Sequence, residues 1–215
     1  KNTRHPTHPE ITVLGIDKFD ADGNLKMSVY KRGGEGFHTD GSYEAVPFKA
    51  TQLYAIAIPS TGGDTLFAST YAAYDALPET LKERIGGLRG VYVFGGATAL
   101  AIDLLNKEDR GQPPVLHPLV RTHPETGRTV LYFDPNKLLR IDGVSAAESD
   151  ALIAELKTYM VQPHAQYRHQ WRKGDIVIWD NRCSYHKAAS DYPPHEDRIH
   201  WRVSIRERSA PGAHA

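Results

Sequence analysis

The chain has one cysteine, Cys183, in 215 residues. That excludes an internal disulfide framework and fits a reducing compartment. Neither charge is in excess, since 26 Lys and Arg stand against 26 Asp and Glu. A balanced chain offers no positive field to nucleic acid or to an anionic membrane, so a small molecule is the expected partner. No apolar run approaches the length that crosses a bilayer, and no basic-then-apolar start resembles a secretory leader. The expectation is a soluble, cytoplasmic protein without nucleic-acid or membrane partners, with self-association left open. Internal repeats, low-complexity stretches and linkers are lacking too. One domain over residues 1–215 follows, large enough for a full core.

What the chain does have is a series of short strand patterns. Ile11 to Ile16, Thr51 to Ile58, Thr65 to Ala68, Val91 to Phe94, Thr129 to Phe133 and Ile176 to Trp179 all read as strands. Phe19 to Asn24 carries the Asp-Gly chemistry of a hairpin turn. A calcium loop built on Asp17, Asp20 and Asp22 fails, because the glycine and the closing glutamate are misplaced. Arg121 to Arg128 reads as a hairpin loop, Ala97 to Leu105 as a helical stretch, and Asn106 to Pro114 as a charged, mobile one. Thr70 can cap a helix running to Leu77, and Pro78 suits the first turn of another that stops near Gly86-Gly87. Ser145 and Glu148 form a capping box before a helix whose apolar stripe is Leu152, Ile153, Leu156 and Met160. Many short strands with few helices indicate a mainly β sandwich or barrel with flanking helices.

Two stretches carry chemistry. In the first, Gly174-Asp175 opens the apolar run Ile176 to Trp179, which leads through a polar loop to His186. Ile199, Trp201, Val203 and Ile205 then alternate with Arg198, His200, Arg202 and Ser204, so one face of that strand is apolar and the other polar. A histidine ending one strand and two arginines on one face of the next suit a metal and an anion. The second stretch is Gly36-Phe37-His38-Thr39-Asp40-Gly41. In an extended chain His38 and Asp40 share a face and can hold one cation. Alone the triplet is unspecific among 11 histidines, and His195-Glu196-Asp197 repeats it in a turn.

Taken in order, His38-Thr39-Asp40, Gly62-Gly63-Asp64-Thr65, Trp179-Asp180-Asn181-Arg182 ending in His186, and Arg198 with Arg202 resemble the TauD/TfdA (taurine dioxygenase) family of iron(II)- and 2-oxoglutarate-dependent dioxygenases. Ala72 to Leu77, Val120 to Gly127 and Tyr167 to Trp171 agree with it. The resemblance runs from about His38 to Ile205. It implies a double-stranded β-helix, or jelly roll. It implies an Fe(II) triad of His38, Asp40 and His186, with Thr65 and Arg198 on the distal carboxylate of 2-oxoglutarate. Arg202 matches an arginine that holds the substrate anion in some members, and Tyr43 is the aromatic expected to face substrate. The activity so implied is hydroxylation of a small anionic substrate, a carboxylate or sulfonate, using O2 and releasing succinate and CO2. Asp40 favours hydroxylation over halogenation, because related halogenases give its place to halide. Members also carry an N-terminal segment before the equivalent of Ile11 that contributes substrate contacts. The expectation is that this segment lies outside the 215 residues. The 148-residue spacing of His38 and His186 is compact for the family and implies a lid loop that is short or missing.

Plainer readings stand beside these. Arg202 can be a structural partner of Asp180 or Asp191, and Thr65 simply a β-branched strand residue. Cys183 with His186 makes a poor zinc site for want of a second thiol, so Cys183 is read as a small buried hydrophobe. Trp171, Trp179 and Trp201 are core candidates. Two other functions use the same scaffold. A non-catalytic jelly-roll binding protein would have lost a ligand or Arg198. A zinc hydrolase would have no use for a dicarboxylate site of Thr65 and Arg198 and would need a general base beside the metal.

Overall fold

The computed structural model of the chain describes residues 4–15, 36–96 and 111–206. Its largest sheet has four antiparallel strands, in the order β1 (Thr12–Leu14), β12 (Ile199–Arg206), β2 (Phe48–Ala57) and β10 (Ile176–Asp180). A three-stranded sheet of β11 (Ser184–Ala188), β3 (Thr65–Ser69) and β9 (Gln166–His169) faces it. Between the two, Phe67 of β3 meets Trp179 of β10 edge-on at 5.3 Å, and Leu53, Ala55 and Trp171 complete this inner core. A third sheet joins β5 (Val115–Pro118), β4 (Arg89–Tyr92) and β8 (Leu138–Asp142), and a hairpin pairs β6 (Val120–Thr122) with β7 (Thr129–Leu131). The fold is mainly β, a jelly roll with helical cover.

Among the described residues the α-helices are α1 (Thr70–Asp75), α2 (Glu79–Ile85) and α3 (Ala146–Tyr159). They pack on β4, β7, β8 and β11 through a second core of Ala73, Leu77, Leu81, Ile85, Leu152, Leu156, Leu131, Ile141 and Tyr185. Ser69, not Thr70, caps α1, its hydroxyl accepting from the Ala72 N–H at 3.3 Å while Thr70 is buried as the first helical residue. Two adjacent hydroxyl residues compete for one cap, and the side chain on the strand side of the boundary has the extended backbone that capping needs. Half of the capping box forms at α3. Ser145 accepts from the Glu148 N–H, but the Glu148 carboxylate reaches Arg84 of α2 instead. The expected hairpin turn at Phe19 to Asn24, the helical stretch Ala97 to Leu105 and most of Asn106 to Pro114 lie outside the described residues.

The two-residue period of β12 sorts its side chains in an unusual sense. His200, Arg202 and Ser204 stand opposite Ala55, Leu53 and Thr51, so the polar face points inward. Trp201, Val203 and Ile205 form the outer face, with Tyr54 and the N-terminal His5 against Trp201. On the edge strand β10, Val177 and Trp179 face inward, whereas Ile176 and Ile178 are exposed. The interior between the two sheets is therefore lined in part by charge. A polar strand face turned inward needs partners to match it.

Candidate metal centre and anion site

His38 and His186 are paired through their backbones. The His38 N–H donates to the His186 carbonyl at 3.1 Å, and the His186 N–H to the His38 carbonyl at 2.8 Å. The segment ahead of β2 is thereby laid against β11, and two residues later the chain delivers Asp40 to the same point. The Nε2 atoms of His38 and His186 lie 3.9 and 3.8 Å from the two oxygens of Asp40. These separations are too long for hydrogen bonds and suit three atoms arranged around one cation. One ligand atom from each residue falls within 4.8 Å of the others.

Burial alone would raise the Asp40 carboxyl. Neighbouring His186, Arg202 and His38, with the Thr51 hydroxyl, reverse this and hold it at about 2. Burial, with His38 adding to it, brings His186 down to about 3 against the pull of Asp40. Near neutral pH Asp40 is thus an anion and His186 a neutral base, the states a metal requires. The His38 Nδ1 lies 3.0 Å from the Gly36 carbonyl, which places its proton there and turns a lone pair on Nε2 toward Asp40.

A relay that the motifs do not mention holds Asp40. The Trp179 indole N–H donates to the Asn181 side-chain oxygen at 3.0 Å, and the Asn181 amide donates to the Thr51 hydroxyl at 2.9 Å. That hydroxyl in turn donates to Asp40 at 2.7 Å. Thr39 donates to the Asn181 carbonyl at 2.6 Å, closing the arrangement around the triplet. Thr51→Val keeps the shape and removes the hydroxyl, leaving the Asn181 amide buried without an acceptor. We expect it to cost about 1–3 kcal/mol of stability and to weaken Mn(II) binding about 10- to 100-fold. Chemical denaturation and a metal titration check both. An unchanged affinity would mean that Asp40 orients itself.

Arg198 and Thr65 sit at another part of the same interior. Arg198 is 9% exposed, and its Nε donates to the Gly63 carbonyl at 2.5 Å and an Nη to the Thr65 hydroxyl at 3.1 Å. Gly63 permits this approach. It has φ +72°, and a Cβ there would stand 2.8 Å from the Pro59 ring and 3.2 Å from the Arg198 side chain. The loop is braced by Asp191, which accepts from the Gly63 N–H at 2.9 Å, and by Arg168, which spans Asp64 and Asp191. The Thr65 hydroxyl also accepts from the Trp171 indole at 3.0 Å. With both lone pairs taken, its own proton is left to donate to something else.

Arg202 does not pair with Asp180 or Asp191. Its Nη1 lies 3.9 Å from Asp40, while Asp180 is taken by Arg182 and Asp191 by Arg168. Tyr43 packs edge-on against Phe94 at 4.9 Å and is half-buried. Cys183 is half-buried rather than buried, with His123 and Asp180 close by. His123 and Asp180 of that trio are already engaged in hydrogen bonds. The His123 Nδ1 accepts the Glu125 and Thr126 N–H groups, and Nε2 lies 3.2 Å from Asp180, which also binds Arg182. No lone pair of His123 remains for a metal. Cys183→Ala is therefore expected to leave metal content and turnover at wild-type levels. Loss of bound iron from a folded Cys183→Ala protein would refute this.

Comparison with known proteins bears on the family and the fold. Residues 1–204 match the family described as taurine catabolism dioxygenase TauD, TfdA family. An alpha-ketoglutarate-dependent 2,4-dichlorophenoxyacetate dioxygenase of Burkholderia sp. (strain RASC) is 35% identical over 181 residues, which cover 83% of this chain and 61% of that protein. An (S)-phenoxypropionate/alpha-ketoglutarate-dioxygenase of Sphingobium herbicidovorans is 36% identical, over 91% of this chain and 73% of that one. Among solved structures, AAD-2 in complex with Mn(II) and N-oxalylglycine superposes with a TM-score of 0.76 at 29% identity, over 92% of this chain and 74% of that one. The chain spans about three fifths of the length of the dichlorophenoxyacetate dioxygenase.

Proposed function

The chain belongs to the TauD/TfdA dioxygenase family, and from that membership we propose that it is an iron(II)- and 2-oxoglutarate-dependent dioxygenase that hydroxylates a small anionic organic acid in the cytoplasm. The observation that carries the reading is the convergence of His38, Asp40 and His186 within one buried interior that also holds Arg198 and Thr65. Two imidazoles and one carboxylate on one side of a cation form the facial set of non-haem iron(II) oxygenases. The three side chains fit such an ion in donor type, charge and spacing. When bound there, iron(II) would supply the chemistry by which 2-oxoglutarate, O2 and a substrate C–H bond become succinate, CO2 and the hydroxylated substrate, one oxygen atom entering each organic product.

The chain's own residues do the rest. Gly36 and Thr51 orient His38 and Asp40, so the ligands need not reorganise when metal arrives. Arg198 keeps N–H groups of its fork for a carboxylate after bonding Gly63 and Thr65, and the Thr65 hydroxyl proton joins them. Arg202, beside Asp40, supplies positive charge where the acid group of a second substrate would lie. The relatives named for phenoxy acids and the family named for taurine support a carboxylate or sulfonate in that place. A binding protein without catalysis would not need a complete ligand set, and a zinc hydrolase would not need Arg198 and Thr65. The test is oxygen uptake and succinate formation by the Fe(II)-loaded chain with 2-oxoglutarate, across phenoxyacetates, phenoxypropionates, alkyl sulfonates and a neutral ether control. Succinate formation stimulated by the acids and not by the ether supports the proposal. Absence of 2-oxoglutarate consumption by iron-loaded protein would overturn it.

A further inference from the structure

His200 lies on the inward face of β12 between Arg198 and Arg202 and is fully buried. Neither of its ring nitrogens has a hydrogen-bond partner among the described residues. Over nine in ten buried polar groups are satisfied, and one residue with two such atoms unmet calls for a reason. A neutral imidazole always carries one N–H donor and one lone pair, so rotation or tautomer change cannot hide both. The ring is not adrift. It meets Trp171 edge-on at 4.5 Å, and the Trp171 indole N–H is the group that donates to Thr65. Arg198 donates to the same Thr65 oxygen. His200, Trp171, Thr65 and Arg198 therefore form one cluster, in which Thr65 has a proton to give and Arg198 has N–H groups left over.

We propose that His200 is a further cosubstrate-contact residue, whose ring N–H donates to the far carboxylate of 2-oxoglutarate beside Arg198 and Thr65. This rests on the dioxygenase reading above. Burial, with Arg198 and His169 adding to it, holds the imidazole at about 3, so it meets the carboxylate as a neutral donor. The contact of the ring with Trp171, whose indole reaches the same Thr65 hydroxyl as Arg198, sides it with the Arg198 end of the interior. A carboxylate has about four lone-pair sites, and the three side chains together can address more of them than an arginine fork alone.

The inference predicts an opposition that a merely structural histidine would not show. An orphaned polar ring costs stability when the site is empty and repays it only when the anion is present. His200→Phe keeps a ring against Trp171 and removes both nitrogens. His200→Leu serves if the larger ring overfills the site, and His200→Gln restores a donor. The measurements are calorimetric titration of 2-oxoglutarate into the Mn(II)-loaded chain and thermal melting of the same chain without 2-oxoglutarate. We expect His200→Phe and His200→Leu to lose about 10- to 100-fold in 2-oxoglutarate affinity and to melt no lower than wild type without the cosubstrate. His200→Gln recovers part of the affinity. Wild-type affinity in His200→Phe and His200→Leu overturns the inference and leaves the dioxygenase reading standing. A wild-type chain that holds Mn(II) and binds no 2-oxoglutarate overturns both.

Discussion

His186→Ala is expected to abolish metal binding and 2-oxoglutarate turnover and to leave the jelly roll folded. The fold survives because the pairing of His186 with His38 runs through main-chain N–H and carbonyl groups that alanine retains. The lost ring packs on Trp179 at 4.7 Å and on His38 at 4.3 Å. Its removal leaves a cavity without stranding a hydrogen bond, since the buried Nδ1 has no partner to lose. The metal does not survive. Even a partner one shell away from a metal is worth about 10- to 100-fold in affinity, so a ligand itself exceeds about 100-fold. Asp40→Asn, which keeps shape and removes charge, should fall in the same direction by a different route. It leaves Arg202 beside two imidazoles with no anion among them. Metal content, 2-oxoglutarate consumption and thermal melting read the three effects separately. Retained turnover in His186→Ala would mean that the metal, if present, sits elsewhere.

The second large effect separates the arginines. Arg198→Ala is expected to weaken 2-oxoglutarate by about 3–5 kcal/mol, because it leaves a buried carboxylate without its counter-charge. Arg202→Ala is expected to spare 2-oxoglutarate and weaken the acid substrate instead. The sequence alone places them four residues apart on one face, roughly 13 Å along an ideal strand. The structure adds a shift of pairing register with β2 between Ile199 and His200 and gives each arginine its own surroundings, Gly63 and Thr65 for one and Asp40 for the other. Removing Arg202 also removes a cation from beside the metal, so metal affinity should hold or rise in that variant. Apparent 2-oxoglutarate affinity is measured for each variant with and without a phenoxyacetate. Equal losses in both variants would assign the two arginines to a single anion.

Much of the site was legible before the structure because its residues sit in short motifs whose order along the chain is distinctive. His38, Asp40, His186, Thr65 and Arg198 are of this kind. What was not legible comes from pairings between distant segments. Thr51 reads as one more β-branched strand residue until β2 lies between β10 and β12 and brings its hydroxyl to Asp40. Asn181 touches Thr51 across 130 positions of sequence, a contact that no local pattern announces. His200 was seen on the polar face of its strand but given no task, since burial of both nitrogens is a tertiary fact. The strands at Thr51 to Ile58 and Ile176 to Trp179 appeared with small shifts of boundary, as Phe48–Ala57 and Ile176–Asp180. The sense in which β12 faces the interior was not decidable, because alternation reveals two faces and only packing says which is inside.

The backbone pairing of His38 with His186 has a consequence for how such a protein can change over generations. Residues that exchange both N–H and carbonyl bonds in an antiparallel pair are held at about 5.5 Å between their Cα atoms by ladder geometry alone. The distance between these two side chains is thus inherited from a sheet, and the 147 residues between them take no part in setting it. Connections elsewhere in that span can lengthen, shorten or be exchanged while the pair stays where it is. A lineage, or an engineer, could redraw the surface that greets the substrate by grafting loops, and the two histidines would keep their spacing throughout.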